Sequence, residues 1–211
     1  MKYKGIIFDL DGVICNTDEY HYLAWKQLAD RLGIPFDQER NNLLRGISRM
    51  ASLNIILSGN DHIYSDEEKA ALAEEKNDLY RQLLSQMTTD NLSDDVKDTL
   101  DKLRHSGLLL AIGSSSKNTP LILERLGLNN FFDAVIDGNC ITNSKPDPEV
   151  FLKASKALGL TPAECLVVED AHAGVKAAVA GGFDCAAIGS AKYDDQACWH
   201  FNHFGELLTI G

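Results

Sequence analysis

The sequence lacks the marks of several protein classes. Its 211 residues carry a formal net charge of −11, so there is no basic excess with which to bind a nucleic-acid backbone. The five cysteines are odd in number and include no C-x-x-C pair, which argues against a disulfide framework and a zinc knuckle. No apolar run is long enough to span a bilayer, and the start of the chain has no signal-peptide core. We therefore expect a cytoplasmic protein with no nucleic-acid or membrane partner, and we also expect a monomer.

Helix and strand patterns divide the chain into two kinds of segment. A short buried strand near the start is followed by a long series of helix signals with no strand between them. Beyond Asn91, helices alternate with short apolar strands, which is typical of a doubly wound sheet. The sequence therefore predicts an α/β protein whose Rossmann-like parallel-sheet core, residues 1–15 and 91–211, is interrupted by an all-helical insertion at 16–90.

The ends of the predicted elements follow from caps, glycines and apolar runs. Strands are predicted at 6–8, 108–112, 134–136, 165–168 and 184–188. Helices are predicted from Thr17 to Gly33, from Ser48 to Gly59, from Ser65 through Leu84, and at 94–106, 118–126, 148–158 and 172–180. Past Gly189 the pattern weakens. The segment His200-Phe201-Asn202-His203 is interpreted as a surface helix fragment rather than a metal-binding pair.

Two pairs of acidic residues come at the ends of predicted strands. Asp9 and Asp11 follow the first strand, and Glu169 and Asp170 follow a later one. Ligands of open α/β sheets bind beyond the carboxyl ends of the strands, so the four acids are expected to converge. Carboxylates brought together repel unless a cation compensates them, and oxygen ligands favour Mg²⁺. We predict a Mg²⁺ site of these four residues. For the first pair alone, a polar turn closed by Gly12 is the alternative.

A hydroxyl-rich loop and a lysine follow two other strands. Ser114 begins a polar run, 114–118, whose hydroxyls, amides and helix start suit a phosphate group. A plain capped loop is the alternative for this run, and the Walker pattern of phosphate-binding loops is absent from it. Lys145 precedes Pro146, which indicates an extended loop, and taken alone it would be a solvated lysine.

Together these residues allow phosphoryl transfer through an aspartyl-phosphate. Asp9 is the predicted nucleophile, because a carboxylate can attack phosphorus covalently. Asp11 is the predicted general acid and base for the leaving or attacking hydroxyl. Ser114 and Lys145 are predicted to hold the phosphoryl oxygens.

The order of these motifs resembles that of the haloacid dehalogenase superfamily. The resemblance rests on Asp9-Leu10-Asp11-Gly12-Val13, Ser114, Lys145 and Glu169-Asp170, and it extends to about Gly189. It implies that the helical insertion is a cap domain. Within the superfamily the chain is similar to the bacterial β-phosphoglucomutases. Further residues carry that similarity: Asp18-Glu19-Tyr20-His21 with Trp25, Arg45-Gly46-Ile47-Ser48-Arg49 with Ser52, Lys76-Asn77, Ser114-Ser115-Ser116-Lys117-Asn118 and Ser144-Lys145-Pro146.

The resemblance implies a reversible conversion of β-D-glucose 1-phosphate and D-glucose 6-phosphate through a β-glucose 1,6-bisphosphate intermediate. It implies that Arg49 clamps the distal phosphate, for which a guanidinium fork is suited. It also implies that His21 couples closure of the cap to the placement of Asp11. The substrate-binding residues implied in this way are His21, Trp25, Gly46, Ile47, Arg49, Ser52, Lys76, Ser115, Ser116, Lys117 and Asn118.

Three functions remain open at this point. The first is the mutase, the second a Mg²⁺-dependent sugar-phosphate phosphatase, and the third a non-catalytic sugar-phosphate sensor. Arg49 and the loop at 116–118 favour the mutase, because a simple phosphatase needs no second phosphate site. Taken singly, Arg49, Lys76 and His21 could be ordinary surface residues of helices. Met50-Ala51 replaces the acidic pair usual after this arginine, which leaves the sugar preference open.

Overall fold

Six parallel strands form one sheet in the computed structural model, which describes residues 2–44, 47–60 and 62–210. In chain order the strands are β1 Gly5–Phe8, β2 Leu109–Gly113, β3 Ala134–Ile136, β4 Cys165–Glu169, β5 Asp184–Ala187 and β6 Trp199–His200. Their order across the sheet is β3-β2-β1-β4-β5-β6. The direction of the order reverses between β1 and β4, which is where a doubly wound sheet opens a crevice for a ligand.

Eight α-helices accompany the sheet in the described residues. They are α1 Asp18–Arg31, α2 Gln38–Asn42, α3 Arg49–Leu57, α4 Asp66–Leu84, α5 Asp94–His105, α6 Thr119–Arg125, α7 Glu149–Ala157 and α8 His172–Ala180. Short 3-10 helices lie at Thr89–Asn91, Pro162–Glu164, Gly189–Ala191 and Phe204–Thr209. Among the described helices, none has the length and apolar character needed to cross a membrane.

The central strands are buried on both faces because their apolar residues alternate between two clusters. In β1, Phe8 packs in a cluster with residues of α5 and α6, whereas Ile7 packs on the opposite face with residues of α7 and α8. Ile7 pairs with Ala111 of β2 and with Val167 of β4. The result is a sheet between two layers of helices, as the apolar runs predict.

Helices α1 to α4 follow β1 and have an apolar cluster of their own, which includes Trp25 of α1, Leu53 of α3 and Leu72 of α4. Ser65 forms a capping box with Glu68 at the start of α4, as predicted. Helix α2 was not predicted. It is five residues long and begins at an Asp37 cap, so it is too short to show a helical period.

The last described segment differs from the sequence interpretation. Trp199 and His200 pair with Ala186 and Ala187 as the edge strand β6, so the interpretation of a surface helix fragment is wrong. Phe201 is buried directly after the strand. A two-residue strand shows no alternation of polar and apolar residues, and pairing with β5 decides its conformation.

Candidate functional site

A cavity of about 1230 Å³ lies over the carboxyl ends of β1, β2 and β4 and is closed on its other side by residues of α1, α3 and α4. Nearly all the residues predicted for catalysis, metal binding and substrate binding line it. They are Asp9, Asp11, His21, Trp25, Ile47, Arg49, Ser52, Lys76, Ser114, Ser115, Ser116, Lys117, Asn118, Lys145, Glu169 and Asp170. The remaining predicted residue, Gly46, lies outside the described residues.

Lys145 joins the two acidic strand ends. Its Nζ donates to Asp9 Oδ1 and to Glu169 Oε1, at 2.6 Å each. The lysine is 4% exposed, so the interpretation of a solvated surface lysine is wrong. Burial lowers the pKa of Lys145, but the charges of Asp9 and Glu169 outweigh it and raise the pKa above its usual value. The lysine therefore carries a fixed positive charge between two carboxylates.

Three buried carboxylates converge beside this lysine. One oxygen from each of Asp9, Glu169 and Asp170 lies within 4.8 Å of the others. Burial raises the pKa of Asp170 to about 8, and the neighbouring charges of Glu169 and Asp9 add to the effect. One lysine does not balance three carboxylates, and a set of hard oxygen donors at this spacing fits a divalent cation such as Mg²⁺.

Two glycines leave the space that these carboxylates occupy. A Cβ on Gly174 of α8 would lie 1.8 Å from Glu169 Oε1. A Cβ on Gly12 would lie 2.2 Å from Asp170 Oδ2, and the φ angle of Gly12 is +90°, which disfavours other residues. The backbone therefore approaches both acids of the second pair closely.

Asp11 lies outside the group of three carboxylates, although the sequence prediction included it among the metal ligands. The hydroxyl of Thr17 donates to Asp11 Oδ1. The same hydroxyl makes no cap hydrogen bond to α1, which differs from the capping role predicted for Thr17. Desolvation raises the pKa of Asp11 to about 7, and the charge of Asp9 adds to the effect. A carboxyl with this pKa can both donate and accept a proton near neutral pH.

The hydroxyls of the loop after β2 organise its backbone. Ser114 Oγ accepts a hydrogen bond from Ser116 N at 3.1 Å, and Ser116 Oγ accepts one from Asn118 N at 3.2 Å. Ser114 is 1% exposed. Ser115 Oγ is a buried atom without a hydrogen-bond partner among the described residues. The loop thus combines fixed turns with a hydroxyl available to a ligand in the cavity.

Lys76 of α4 enters the cavity between aromatic rings. Its Nζ lies 4.6 Å from the ring centre of Trp25 and 4.3 Å from that of Tyr80, and 3.0 Å from His21 Nδ1. Burial, together with the smaller effect of the charge of Arg49, lowers the pKa of Lys76 to about 7. Burial also lowers the pKa of His21, which stacks on Tyr80. The interpretation of Lys76 as a solvated helix charge is wrong, since it is 2% exposed.

Arg49 lies at the first turn of α3, after the Ser48 cap. Its Nη2 donates to Asn77 Oδ1 at 2.8 Å, and Nη1 lies 3.6 Å from Glu74 Oε2. Asn118 Nδ2 donates to the same Asn77 oxygen at 2.9 Å. Arg49 and Lys76 thus bring two basic side chains, and Asn118 an amide, to the lining of the cavity.

The predicted catalytic and substrate-binding residues did not include four residues near the site, although Asn77 was among those that carry the family resemblance. Thr17 contacts Asp11, Tyr80 contacts Lys76 and His21, and Asn77 and Arg81 contact Asn118. A signal for three of them was present in the spacing on α4, where Tyr80 and Arg81 lie four residues after Lys76 and Asn77 and so share their faces of the helix.

A family model described as haloacid dehalogenase-like hydrolase matches residues 6–188. The chain belongs to this family. The match runs from β1 to just past β5, so it includes both acidic pairs, the Ser114 loop and Lys145. The residues that form the described site therefore lie within the segment that matches the family.

Proteins similar to this chain include some that are named as mutases and some that are named as phosphatases. β-Phosphoglucomutase of Bacillus subtilis is 40% identical over 191 residues, which are 90% of this chain and 84% of that protein. Fructose-1-phosphate phosphatase YqaB of Escherichia coli is 32% identical over 190 residues, 89% of this chain and 97% of that protein. The crystal structure of β-phosphoglucomutase from Clostridium difficile superposes with a TM-score of 0.91 at 35% identity, covering 97% of this chain and 93% of that one.

Proposed function

We propose that the chain is a β-phosphoglucomutase that interconverts β-D-glucose 1-phosphate and D-glucose 6-phosphate. The observation that carries the proposal is a single cavity lined by residues of both parts of the chain. Asp9, Ser114 and Lys145 line it from the sheet, and Arg49 of α3 and Lys76 of α4 line it from the helices. A sugar bisphosphate can use both sets of residues at once, whereas a monophosphate ester needs one. Similarity to the mutases of Bacillus subtilis and Clostridium difficile supports the same reading.

The first half-reaction transfers a phosphoryl group between the bisphosphate and Asp9. Because Oδ1 of Asp9 accepts the hydrogen bond of Lys145, we assign the attack on phosphorus to Oδ2. The new Oδ2–P bond forms as the bond from phosphorus to the sugar oxygen breaks, and Asp11 gives that oxygen a proton. Ser114 and Lys145 hold the phosphoryl oxygens.

The other half-reaction acts on β-glucose 1-phosphate, whose free 6-hydroxyl attacks the phosphoryl group on Asp9. Asp11, now a carboxylate, accepts the proton of that hydroxyl, the bond from phosphorus to Oδ2 of Asp9 breaks, and the bisphosphate forms. The bisphosphate must then turn end for end, so that its 1-phosphate is transferred to Asp9 and glucose 6-phosphate leaves. The cavity therefore has to accept either phosphate beside Asp9, with Arg49 and Lys76 available to the other one.

We propose that Asp9, Glu169 and Asp170 hold Mg²⁺, because their oxygens converge and their charge is incompletely balanced. When bound, the ion would neutralise charge on the phosphoryl group. Asp11 keeps its proposed role in proton transfer without a place in this ligand set. The residues of the chain then supply the nucleophile, the proton and the positioning of the phosphoryl oxygens.

We also propose that residues 16–90 act as a cap that closes over the core formed by 1–15 and 91–211. The apolar cluster shared by α1, α3 and α4 supports a unit with its own packing. Closure would keep water from the phosphorylated Asp9, which a mutase must protect until its intermediate has turned. His21, which contacts Lys76 inside the cavity, would link this closure to the placement of Asp11.

We propose that the enzyme acts as a monomer on a small sugar phosphate, because both acidic strand ends, the Ser114 loop, Lys145 and Arg49 already line one cavity within a single chain. Phosphorylated sugars are multiply charged and cross bilayers poorly, which supports a cytoplasmic location for an enzyme that uses them.

A sugar-phosphate phosphatase is the second candidate. The observation that favours it is the similarity to fructose-1-phosphate phosphatase YqaB, which extends over 97% of that protein. Both candidates share the aspartyl-phosphate and differ in what accepts the phosphoryl group, a sugar hydroxyl or water.

The deciding experiment supplies β-glucose 1-phosphate, Mg²⁺ and a trace of bisphosphate and follows glucose 6-phosphate and inorganic phosphate together. If the chain is a mutase, glucose 6-phosphate should be the main product. Inorganic phosphate at comparable turnover would establish the phosphatase instead. Asp9→Asn should abolish both products, because the amide cannot attack phosphorus as a carboxylate does. Turnover retained in that variant would remove the covalent mechanism.

A further inference from the structure

Two residues of α4 hold the side-chain amide of Asn118 from both of its ends. Asn118 Nδ2 donates to Asn77 Oδ1 at 2.9 Å, and Arg81 Nη1 donates to Asn118 Oδ1 at 3.2 Å. Asn77 and Arg81 are four residues apart, so they lie one above the other on the same face of the helix. Asn118 immediately precedes α6, at the end of the Ser114 loop. The two hydrogen bonds therefore join the helical insertion to the sheet core.

The directions of these hydrogen bonds are fixed by the arginines at the two ends of the chain of contacts. A guanidinium group only donates, so the atom of Asn77 that faces Arg49 at 2.8 Å must be the amide oxygen. That oxygen also accepts a hydrogen bond from Asn118, so the group of Asn118 that faces it must be the NH₂ group. The remaining oxygen of Asn118 then faces Arg81, again a pure donor. Each of the three hydrogen bonds in the series Arg49, Asn77, Asn118 and Arg81 thus pairs a donor with an acceptor.

Burial makes this series sensitive to separation of the two parts of the chain. Asn77 is 9% exposed and Asn118 is 5% exposed. An amide that loses its partner while it stays buried costs free energy, whereas an amide that becomes hydrated on separation does not. The series therefore favours two arrangements, one with α4 seated on Asn118 and one with both amides in water.

We propose that Asn77 and Arg81 form a latch, defined by their two hydrogen bonds to Asn118, that holds α4 over the site and fixes Arg49 through the shared Asn77 oxygen. Both are positioning residues, since they act through Arg49 and Asn118 rather than on the reacting atoms. The consequence for Arg49 rests on the proposed function of a mutase with a distal-phosphate site, whereas the seating of α4 does not.

Arg81→Met removes the donor to Asn118 and keeps an unbranched apolar side chain on an exposed position of α4. Asn77→Leu removes the shared oxygen at similar volume, and Asn77→Asp keeps an oxygen that can accept from both Arg49 and Asn118. Lys69→Met is the matched control, because it removes a partly buried cation from the same helix without touching the latch.

We expect Arg81→Met and Asn77→Leu to raise the KM for the bisphosphate by about 3- to 10-fold, as the loss of one or two hydrogen bonds predicts. Hydrolysis of a small aryl phosphate, which does not reach Arg49, should keep its KM. Asn77→Asp should restore most of the bisphosphate KM, and Lys69→Met should leave it unchanged. Equal effects on both substrates, or no rescue by Asn77→Asp, would overturn the latch and indicate a merely structural role.

Hydrogen–deuterium exchange tests the seating of α4 without any assay of activity. In the latch variants, backbone amides at 117–121 and at the segment 87–93 should exchange faster than in the unaltered protein and in Lys69→Met. Unchanged exchange would overturn the latch even if the enzyme is a mutase. Faster exchange in a protein that only hydrolyses its substrates would support the latch and reject the proposed mutase function.

Discussion

Lys76 places an ammonium group where burial opposes its charge. The rings of Trp25 and Tyr80 flank it, and Arg49 adds a positive charge nearby. Its partner His21 is itself held neutral, because burial lowers the pKa of the imidazole. A bound anion stabilises the protonated form of this lysine, since the anion supplies the negative charge that the free site lacks.

The binding of a sugar phosphate at pH 8 should therefore be accompanied by uptake of protons at Lys76. In the free protein its pKa is about 7, so the amine is mostly neutral at pH 8. A dianionic phosphate raises that pKa above 8, and the amine takes up a proton. Because the bound form has the higher pKa, affinity should fall as the pH rises above 7. Calorimetric titrations in buffers of different ionisation enthalpy measure the proton count.

Lys76→Met is the control for this uptake, because it keeps the packing between the rings and removes the titrating group. Asp11 also influences the pKa of Lys76, so Asp11→Asn serves as a second comparison. Proton uptake that persists in Lys76→Met would assign it to another group and contradict the prediction.

Arg49→Ala should weaken use of the bisphosphate more than hydrolysis of a small monophosphate ester. The guanidinium enters the cavity from α3, and we expect it to contact the second phosphate of a bisphosphate. Loss of a charged hydrogen-bond partner predicts a fall of about 10- to 100-fold in kcat/KM for the bisphosphate. Arg49→Lys should recover part of this loss. Equal losses on the two substrates would argue against a distal-phosphate clamp.

Helix α8 shows how an element is shaped by the site beside it. Its first turn contains Gly174, although alanine is favoured over glycine within a helix by up to roughly 1 kcal/mol. The carboxylate of Glu169 occupies the space in which a Cβ would lie, 1.8 Å away. The helix thus gives up intrinsic stability to bring its backbone against a buried acid.

Gly174→Ala should lower the free energy of unfolding by about 1–3 kcal/mol, because the carboxylate of Glu169 must move from Lys145 to make room. Ala180→Gly, at an exposed end of the same helix, measures the propensity effect alone. Chemical denaturation gives both values. A stabilised Gly174→Ala protein would show that propensity outweighs the contact and would contradict the model of the site.

Elements with long or strongly buried patterns were predictable from the sequence. Strands β1, β2 and β4 appear as apolar runs because both of their faces are covered. The start of α4 is predicted by its capping box. Strand β6 and helix α2 are too short to repeat a pattern, so their conformation depends on what they pack against. Thr17 shows a third limit of sequence-based prediction, since its hydroxyl could cap α1 but instead donates a hydrogen bond to Asp11.

The site was predictable where it depends on sheet topology. Each of Asp9, Ser114 and Glu169 lies at the end of a strand, and parallel strands bring such ends to one edge. The contacts of Asn77 and Arg81 with Asn118 depend instead on how the helical insertion sits on the core. That placement leaves no periodic signal in the sequence.

At the scale of the whole molecule, the reversal of strand order between β1 and β4 places like charges where the sheet is best able to bind a ligand. Asp9 comes from one strand and Glu169 and Asp170 from its neighbour, so the fold itself forces the carboxylates together. In the absence of a cation, their repulsion opposes folding of the sheet. The stability of the whole chain should therefore depend on the proposed Mg²⁺ site.

Mg²⁺ at a hundred times its dissociation constant should raise Tm by roughly 5–10 °C, because a ligand that binds only the folded state stabilises it by mass action. Asp170→Asn should raise the Tm of the metal-free protein and reduce the increase in Tm that Mg²⁺ produces. Above pH 8, where Asp170 is ionised, removing one of three close carboxylates relieves repulsion, so the metal-free variant should melt above the metal-free unaltered protein. The same change removes a ligand, so the increase in Tm on adding Mg²⁺ should shrink. Scanning calorimetry with chelator and with Mg²⁺ measures both effects, and an equal Mg²⁺-dependent increase in the two proteins would place the ion elsewhere.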